Sequence, residues 1–534
     1  MGKRRLLSAA LAGLTGVALV TLPAQPSSAA TKATASPPVV QTDNGAVQGV
    51  RLDRVDSFLG IPYAAPPVGS LRWAAPQPAA AWTGVKVADR FGNRCPALAS
   101  TNGPRAETED CLFVNVQRPA RLAQNAGRPV YVFIHGGGFV NGSSNQGDMR
   151  QIVQATGVIG VSMNYRLGVF GFLSVPGLAS ESPNSGDYGL LDQQAALRWV
   201  QRNIAAFGGD PTRVTIGGES AGAFSVCAHL VAQSSAGLFA RAMLQSGACP
   251  TVTLAEAATT GGAIATRAGC GDPATAVACL RALSVAALLD AAGSNSWTPT
   301  RGTAFLPIDP RGAITTGQFA HVPVVVGSNR DEGRTFAQGD IGWTQEQYVA
   351  WVRQSFGTNA DAVLAHYPWP ANADAFTPAY LVGAIQTDSG MVAGIGGCSN
   401  RKLAQDFATH VPTWAYEFSA RRGPGLTPIP GYVWGAGHAA ELAYLFPSFN
   451  NGTPIAPTFT AGQRELAQWM KRYWGSFVRR GNPNVADQTY WSRYDTTKRW
   501  LSLRTSDNTI LITDSAYRAA HQCAFWDALP MTSS

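Results

Sequence analysis

Two hydrophobic patterns take turns along this chain. Residues 130–134, Val-Tyr-Val-Phe-Ile, and residues 158–163 are unbroken apolar runs of strand length, the pattern left by strands covered on both faces of a parallel sheet. Residues 191–206 instead repeat Leu197, Val200 and Ile204 at spacings of three and four, which predicts an amphipathic helix. Val214, Thr215 and Ile216 predict another buried strand, the residues after Ser220 a helix, and residues 242–245, 322–326 and 413–418 further strands. Leu466, Trp469, Met470, Tyr473, Trp474 and Phe477 form an i, i+3, i+4, i+7 stripe, read as the buried face of a core helix rather than an aromatic ligand box. Strands and helices alternating in this way predict an α/β fold with a large, mostly parallel central sheet flanked by helices.

The pattern starts at Val39, where strand, Asn44-Gly45 turn and strand read as a hairpin of type I′. Pro62, Pro66 and Pro67, with Gly60 and Gly69, then mark an irregular surface segment reaching Trp73. No internal repeat or Pro/Gly/Ser-rich linker divides the rest, so residues 39–534 are expected to form one catalytic domain.

Composition changes this picture at the amino end. Lys3, Arg4 and Arg5 precede an apolar run over residues 6–22, and Ser28-Ala29-Ala30 supplies small residues for cleavage. Residues 1–30 therefore read as a secretory signal peptide and residues 31–38 as a flexible leader. Losing the three basic residues lowers the net charge from +8 to +5. No Lys/Arg run is interleaved with aromatics, so the excess reads as solvated surface and no nucleic-acid partner is expected. No later stretch is apolar enough to span a bilayer. Eight cysteines in an exported chain predict disulfides, and Cys95 with Cys111 and Cys270 with Cys279 could each close a short loop.

The candidate chemistry begins at Gly218-Glu219-Ser220-Ala221-Gly222, between a predicted strand and a predicted helix. Only a sharp strand-to-helix turn connects them, and such an elbow needs small residues on either side of a serine whose hydroxyl is left exposed. That hydroxyl becomes a nucleophile when an imidazole takes its proton and a carboxylate orients the imidazole. On this topology the order is Ser, acid, His. His438 suits it, standing between Gly435-Ala436-Gly437 and Ala439-Ala440-Glu441, a loop entering a helix. For the acid, Asp331 and Glu332 both follow the strand predicted at 322–326, and the residues alone do not separate them. His135-Gly136-Gly137-Gly138 follows a buried strand directly, so the N–H groups of Gly137, Gly138 and Ala221 are the expected oxyanion donors.

These stretches, with Gly60-Ile61-Pro62-Tyr63-Ala64, the Glu109-Asp110-Cys111-Leu112-Phe113 run, Asn164-Tyr165-Arg166, Leu191-Asp192-Gln193 and Phe207-Gly208-Gly209-Asp210-Pro211, resemble the type B carboxylesterases, the α/β-hydrolases that include the cholinesterases. The resemblance runs from about Gly45 to Asp527. It implies an α/β-hydrolase fold, and it implies that the acid is Glu332 of Asn329-Arg330-Asp331-Glu332-Gly333 and the base His438. It implies disulfides Cys95–Cys111, Cys270–Cys279 and Cys398–Cys523, and leaves Cys227 and Cys249 as a bridge or two thiols. Arg72 with Glu109 and Arg166 with Asp192 become structural ion pairs, and no cofactor or metal is implied. Glu219 is either an electrostatic support or a buried hydrogen-bonding carboxylate.

Cholinesterases carry a tryptophan inside the first disulfide loop, whereas residues 96–110 contain no aromatic, so choline esters are not expected as substrates. The loop is also too short and polar for the lid of the family's lipases. Arg301 and Thr303 align where cholinesterases have bulky acyl-pocket aromatics. The expected function is a secreted serine carboxylesterase acting on small to medium esters. A lipase on longer acyl chains and a non-catalytic binding protein are the alternatives.

Overall fold

The computed structural model describes residues 36–529 except 424, 427, 428, 447, 448, 450–454, 506 and 507; the expected signal peptide and most of the leader lie outside the described residues. From Pro37 onward the chain forms one compact unit. Its centre is an eleven-stranded sheet, in the spatial order Ile510–Thr513, Arg499–Leu503, Thr413–Phe418, Val324–Asn329, Arg241–Gln245, Gly209–Glu219, Arg128–Ile134, Ile159–Met163, Phe113–Pro119, Val55–Pro62 and Val50–Leu52. Every neighbouring pair from Arg499–Leu503 to Ile159–Met163 is parallel, and antiparallel strands close both edges.

The unbroken apolar runs are the interior strands, buried on both faces by two large clusters of side chains. The aromatic stripe lies on the helix Ala461–Arg480, where Leu466, Met470, Tyr473, Trp474 and Phe477 are buried. Thr460 caps that helix and Gly481, at φ 68°, ends it. The strand expected at 322–326 begins instead at Val324 and continues to Asn329. Pro323 has no N–H for the ladder, and the extension carries the strand into the site.

The hairpin Val39–Gln41 with Ala46–Gln48 is present in a small separate sheet, but its turn is not type I′. Asp43 and Asn44 keep negative φ and Gly45 alone turns, at φ 148°. Asp53 and Arg54, at φ 50° and 64°, form the left-handed two-residue connection of the next hairpin, Val50–Leu52 with Val55–Pro62.

Four disulfides join Cys95–Cys111, Cys227–Cys249, Cys270–Cys279 and Cys398–Cys523, so Cys227 and Cys249 are bridged. Arg72 meets Glu109 at 2.5 Å in a partly buried pair, and Arg166 meets Asp192 at 2.8 Å in a fully buried one.

Candidate active site

The site gathers at the carboxyl ends of the parallel strands Arg128–Ile134, Gly209–Glu219 and Val324–Asn329, with Arg241–Gln245 between the last two. The strand Gly209–Glu219 ends at Ser220, which holds φ 56° and ψ −125° as the helix Ala221–Val231 begins. A serine at this left-handed angle is strained, and surrounding contacts hold it there. A Cβ on Gly218 would stand 2.4 Å from the Gly222 backbone, and one on Gly222 would stand 2.1 Å from the Ile134 carbonyl oxygen. The Ser220 N–H donates to the Gln245 carbonyl at 3.0 Å, fixing the turn to the neighbouring strand.

The strand Arg128–Ile134 runs directly into His135 and the three glycines. Gly137 and Gly138 take φ 102° and 62°, angles that open the loop beside Ser220. The N–H groups of Gly137, Gly138 and Ala221 have no backbone acceptor among the described residues. Gly137 and Gly138 line the same cavity as Ser220. His135 stacks on Tyr165, and burial pulls its pKa down to about 4.

On the other side, the turn after Val324–Asn329 separates the two candidate carboxylates. Glu332 Oε2 lies 2.7 Å from His438 Nδ1, while its Oε1 accepts the Asn329 N–H at 2.6 Å. Asp331 faces away. It accepts both the Ala436 N–H and the Arg421 guanidinium, tying the histidine loop to the acid's turn. The His438 N–H donates to the Glu332 carbonyl at 3.2 Å, so the two segments are joined by backbone as well as side chain.

His438 Nε2, the nitrogen on the cavity side, stands 3.2 Å from Oε1 of Glu219. Ser220 and His438 share the cavity wall, but no hydrogen bond from the serine hydroxyl reaches the imidazole among the described residues. Burial alone would depress the imidazole. Glu219 and Glu332 outweigh it and raise His438 from 6.5 to about 9. Burial likewise lifts Glu219 from 4.5 to about 8, with Glu441 and Glu332 adding to the rise and His438 opposing it. His438 and Glu219 therefore titrate as a pair.

Glu441 is a participant that the sequence reading left in the histidine loop. It is fully buried and accepts Asn329 Nδ2 at 2.6 Å and Gln245 Nε2 at 3.2 Å. Its place three residues after His438 was the available signal.

The cavity has a volume of about 630 Å³. Its aromatic wall comes from Phe133, Phe224, Trp297, Phe336 and Phe449. Arg301 and Thr303 do not line it: Arg301 pairs with Asp309, and the Thr303 hydroxyl donates to buried Asp187. The expected replacement of pocket aromatics by these two residues is therefore overturned, because residues 292–298 form the wall and bring Trp297 forward. Across from it the first disulfide loop supplies Pro96, Leu98 and Asn102. Asn102 Nδ2 donates to Asn141 Oδ1 at 2.5 Å, and Gln146 Nε2 donates to Asn102 Oδ1 at 2.9 Å. Asn141 packs on the glycine loop, with its N–H donated to the Gly137 carbonyl at 3.1 Å. Among the lining residues Glu219 is the one carboxylate, and none is Lys or Arg.

Residues 36–526 match the carboxylesterase family. The chain is 36% identical to a fumonisin B1 esterase of Sphingopyxis macrogoltabida, over 87% of this chain and 87% of that one. It is 33% identical to an acetylcholinesterase of Bungarus fasciatus, over 91% and 86%, and 32% identical to a cocaine esterase of Oryctolagus cuniculus, over 87% and 92%.

Proposed function

This chain belongs to the carboxylesterase family and is a carboxylic ester hydrolase of α/β-hydrolase fold, and from that premise we propose that Ser220, His438 and Glu332 carry its chemistry. Ser220 Oγ attacks the ester carbonyl while His438 Nε2 takes the hydroxyl proton. Glu332 holds Nδ1–H and stabilises the imidazolium. The N–H groups of Gly137, Gly138 and Ala221 receive the negative charge that develops on the carbonyl oxygen. His438 then protonates the departing alcohol, and water, activated by the same imidazole, releases the acyl group from Ser220.

Glu219 acts on the charge of this relay. Its Oε1 stands 3.2 Å from Nε2 without a hydrogen bond. Once His438 is charged, the same carboxylate stabilises it.

The substrate is an uncharged ester of small to medium size. An acid-bearing substrate would bury its charge in a wall without Lys or Arg. The short polar first loop argues against a lipid lid, and its lack of aromatics argues against quaternary ammonium recognition. Four disulfides support export to an oxidising compartment. Among the described residues no helix is long and apolar enough to cross a membrane.

One observation carries the assignment: buried Glu332 stands 2.7 Å from His438, which lines a cavity together with a strained elbow serine. Hydrolysis of aryl esters over a series of acyl lengths, by wild type and Ser220→Ala, tests it. Turnover that peaks at short to medium chains and disappears in the variant is expected. Undiminished turnover in the variant rejects the nucleophile, and a steep preference for long insoluble chains rejects the substrate class.

A further inference from the structure

At the opposite ends of the same strands the molecule collects arginines. Arg128 opens the strand Arg128–Ile134, Arg213 lies in the first half of Gly209–Glu219, and Arg241 opens Arg241–Gln245. The helix Ala461–Arg480 finishes beside them on Arg479 and Arg480. Arg128, Arg213, Arg479 and Arg480 line a pocket of about 520 Å³, and Arg241 is close enough to Arg213 to feel its charge.

Carbonyl and hydroxyl oxygens, rather than carboxylates, hold most of these side chains. Arg213 donates to the Gly127 carbonyl, Arg479 to the Thr156 carbonyl at 3.0 Å, and Arg241 to the Val478 carbonyl at 3.2 Å. Arg480 donates to Ser476 Oγ at 2.6 Å and to the Asn484 carbonyl. Asp210, at 2.8 Å from Arg213, is the one carboxylate paired with this group among the described residues. Burial depresses Arg241 and Arg479, and the neighbouring guanidinium of Arg213 or Arg480 depresses each further. The carboxyl end of the helix offsets only about half a charge. Loose surface arginines would separate into solvent, whereas these bonds pin Arg213, Arg241, Arg479 and Arg480 together, with Arg128 exposed beside them and free to donate.

We propose that this pocket binds a multiply charged phosphate oxyanion, which guanidinium groups hold by paired charge-assisted hydrogen bonds. Its volume exceeds what one tetrahedral anion fills and suits a diphosphate or a phosphate carried on a larger group. The site stands about 20 Å from Ser220, the length of the strands between them, and is independent of the ester chemistry.

Calorimetric titration of the full chain with inorganic pyrophosphate at low ionic strength is the test, with flotation on phosphatidylglycerol and phosphatidylcholine vesicles as a second arm. Saturable pyrophosphate binding, weakened at least about tenfold in Arg128→Gln/Arg480→Gln, is the expected result. Ester hydrolysis by that variant stays at the wild-type rate, which shows that it folds. Arg128→Gln alone is the backup, since the Arg128 side chain makes no hydrogen bond among the described residues. Arginine-dependent capture by phosphatidylglycerol vesicles would identify the phosphate as a lipid headgroup, and pyrophosphate binding without capture would identify it as soluble. Absence of arginine-dependent binding in both arms, or heat reproduced by sodium chloride at equal ionic strength, overturns the proposal.

Discussion

In the proposed mechanism Ser220, Glu332 and His438, from distant parts of the sequence, share one proton path, and Glu332 and neighbouring Glu219 each make a prediction. Glu332→Gln preserves the shape of the contact with His438 but removes its charge and tautomer control, so kcat is expected to fall by roughly 10⁴-fold with little change in KM. Glu219 makes a pH prediction. An imidazole raised to about 9 is protonated, and useless as a base, until the pH approaches that value. The rate constant kcat/KM should therefore rise through the alkaline range, with a midpoint above the ordinary 6.5. Glu219→Gln removes one of the anions responsible, so a pH–rate profile of that variant should show the midpoint moved toward 6.5. An unmoved midpoint would mean that Glu219 does not govern the titration. The elbow was legible because its two glycines are dictated by backbone collisions that any sequence must avoid. Asp331 and Glu332 were not separable from the residues alone: both are carboxylates in one turn, and only the packing of the histidine loop decides which of them faces His438.

At the level of elements, the parallel strands and the long carboxyl-terminal helix were readable because burial on both faces leaves unbroken apolar runs and burial on one face leaves a helical stripe. Turns were less readable. Asn44-Gly45 carries the usual signal of a type I′ turn and lacks that geometry, while Asp53 and Arg54 adopt it without the signal. The strand pairing on either side of each turn overrides local preference. Loop-to-loop contacts were invisible in the sequence. The Asn102–Asn141 hydrogen bond of 2.5 Å links the first disulfide loop to the glycine loop proposed to hold the oxyanion, so Asn102→Ala is expected to lower kcat by about tenfold, the scale of one positioning contact, and Asn102→Asp should not restore it because Nδ2 is the donor. A steady-state comparison of the two variants checks this. Among the disulfides, Cys398–Cys523 spans 125 residues and Cys270–Cys279 only 9. If chain entropy governs, replacing the first pair with serine costs about 4–5 kcal/mol and the second pair less, as denaturant unfolding would show.

At the scale of the whole molecule, another buried histidine, His521, links the last described helices to the sheet. His521 lies between Asp388 at 2.9 Å and Glu417 at 2.8 Å, with Glu417 on a central strand. Burial would lower the imidazole, but these carboxylates raise it to about 9. A group raised in the folded state adds stability that is complete below its unfolded value of 6.5 and lost as the pH rises through about 9. Buried Glu219 and Glu441, raised to about 8 and about 7, push in the same direction over a lower range. The thermal midpoint should therefore fall between pH about 6.5 and about 9.5. His521→Gln should destabilise the protein by roughly 3–5 kcal/mol at neutral pH, the cost of breaking a buried ion pair, and should flatten that decline. The central claim, that Ser220 carries the acyl group between the two halves of the reaction, is tested most directly by intact-protein and peptide mass spectrometry after rapid acid quenching of an aryl ester reaction. A single acyl increment on the peptide containing Ser220, absent from Ser220→Ala, is the predicted result; turnover without any adduct, or an adduct on another residue, would contradict it.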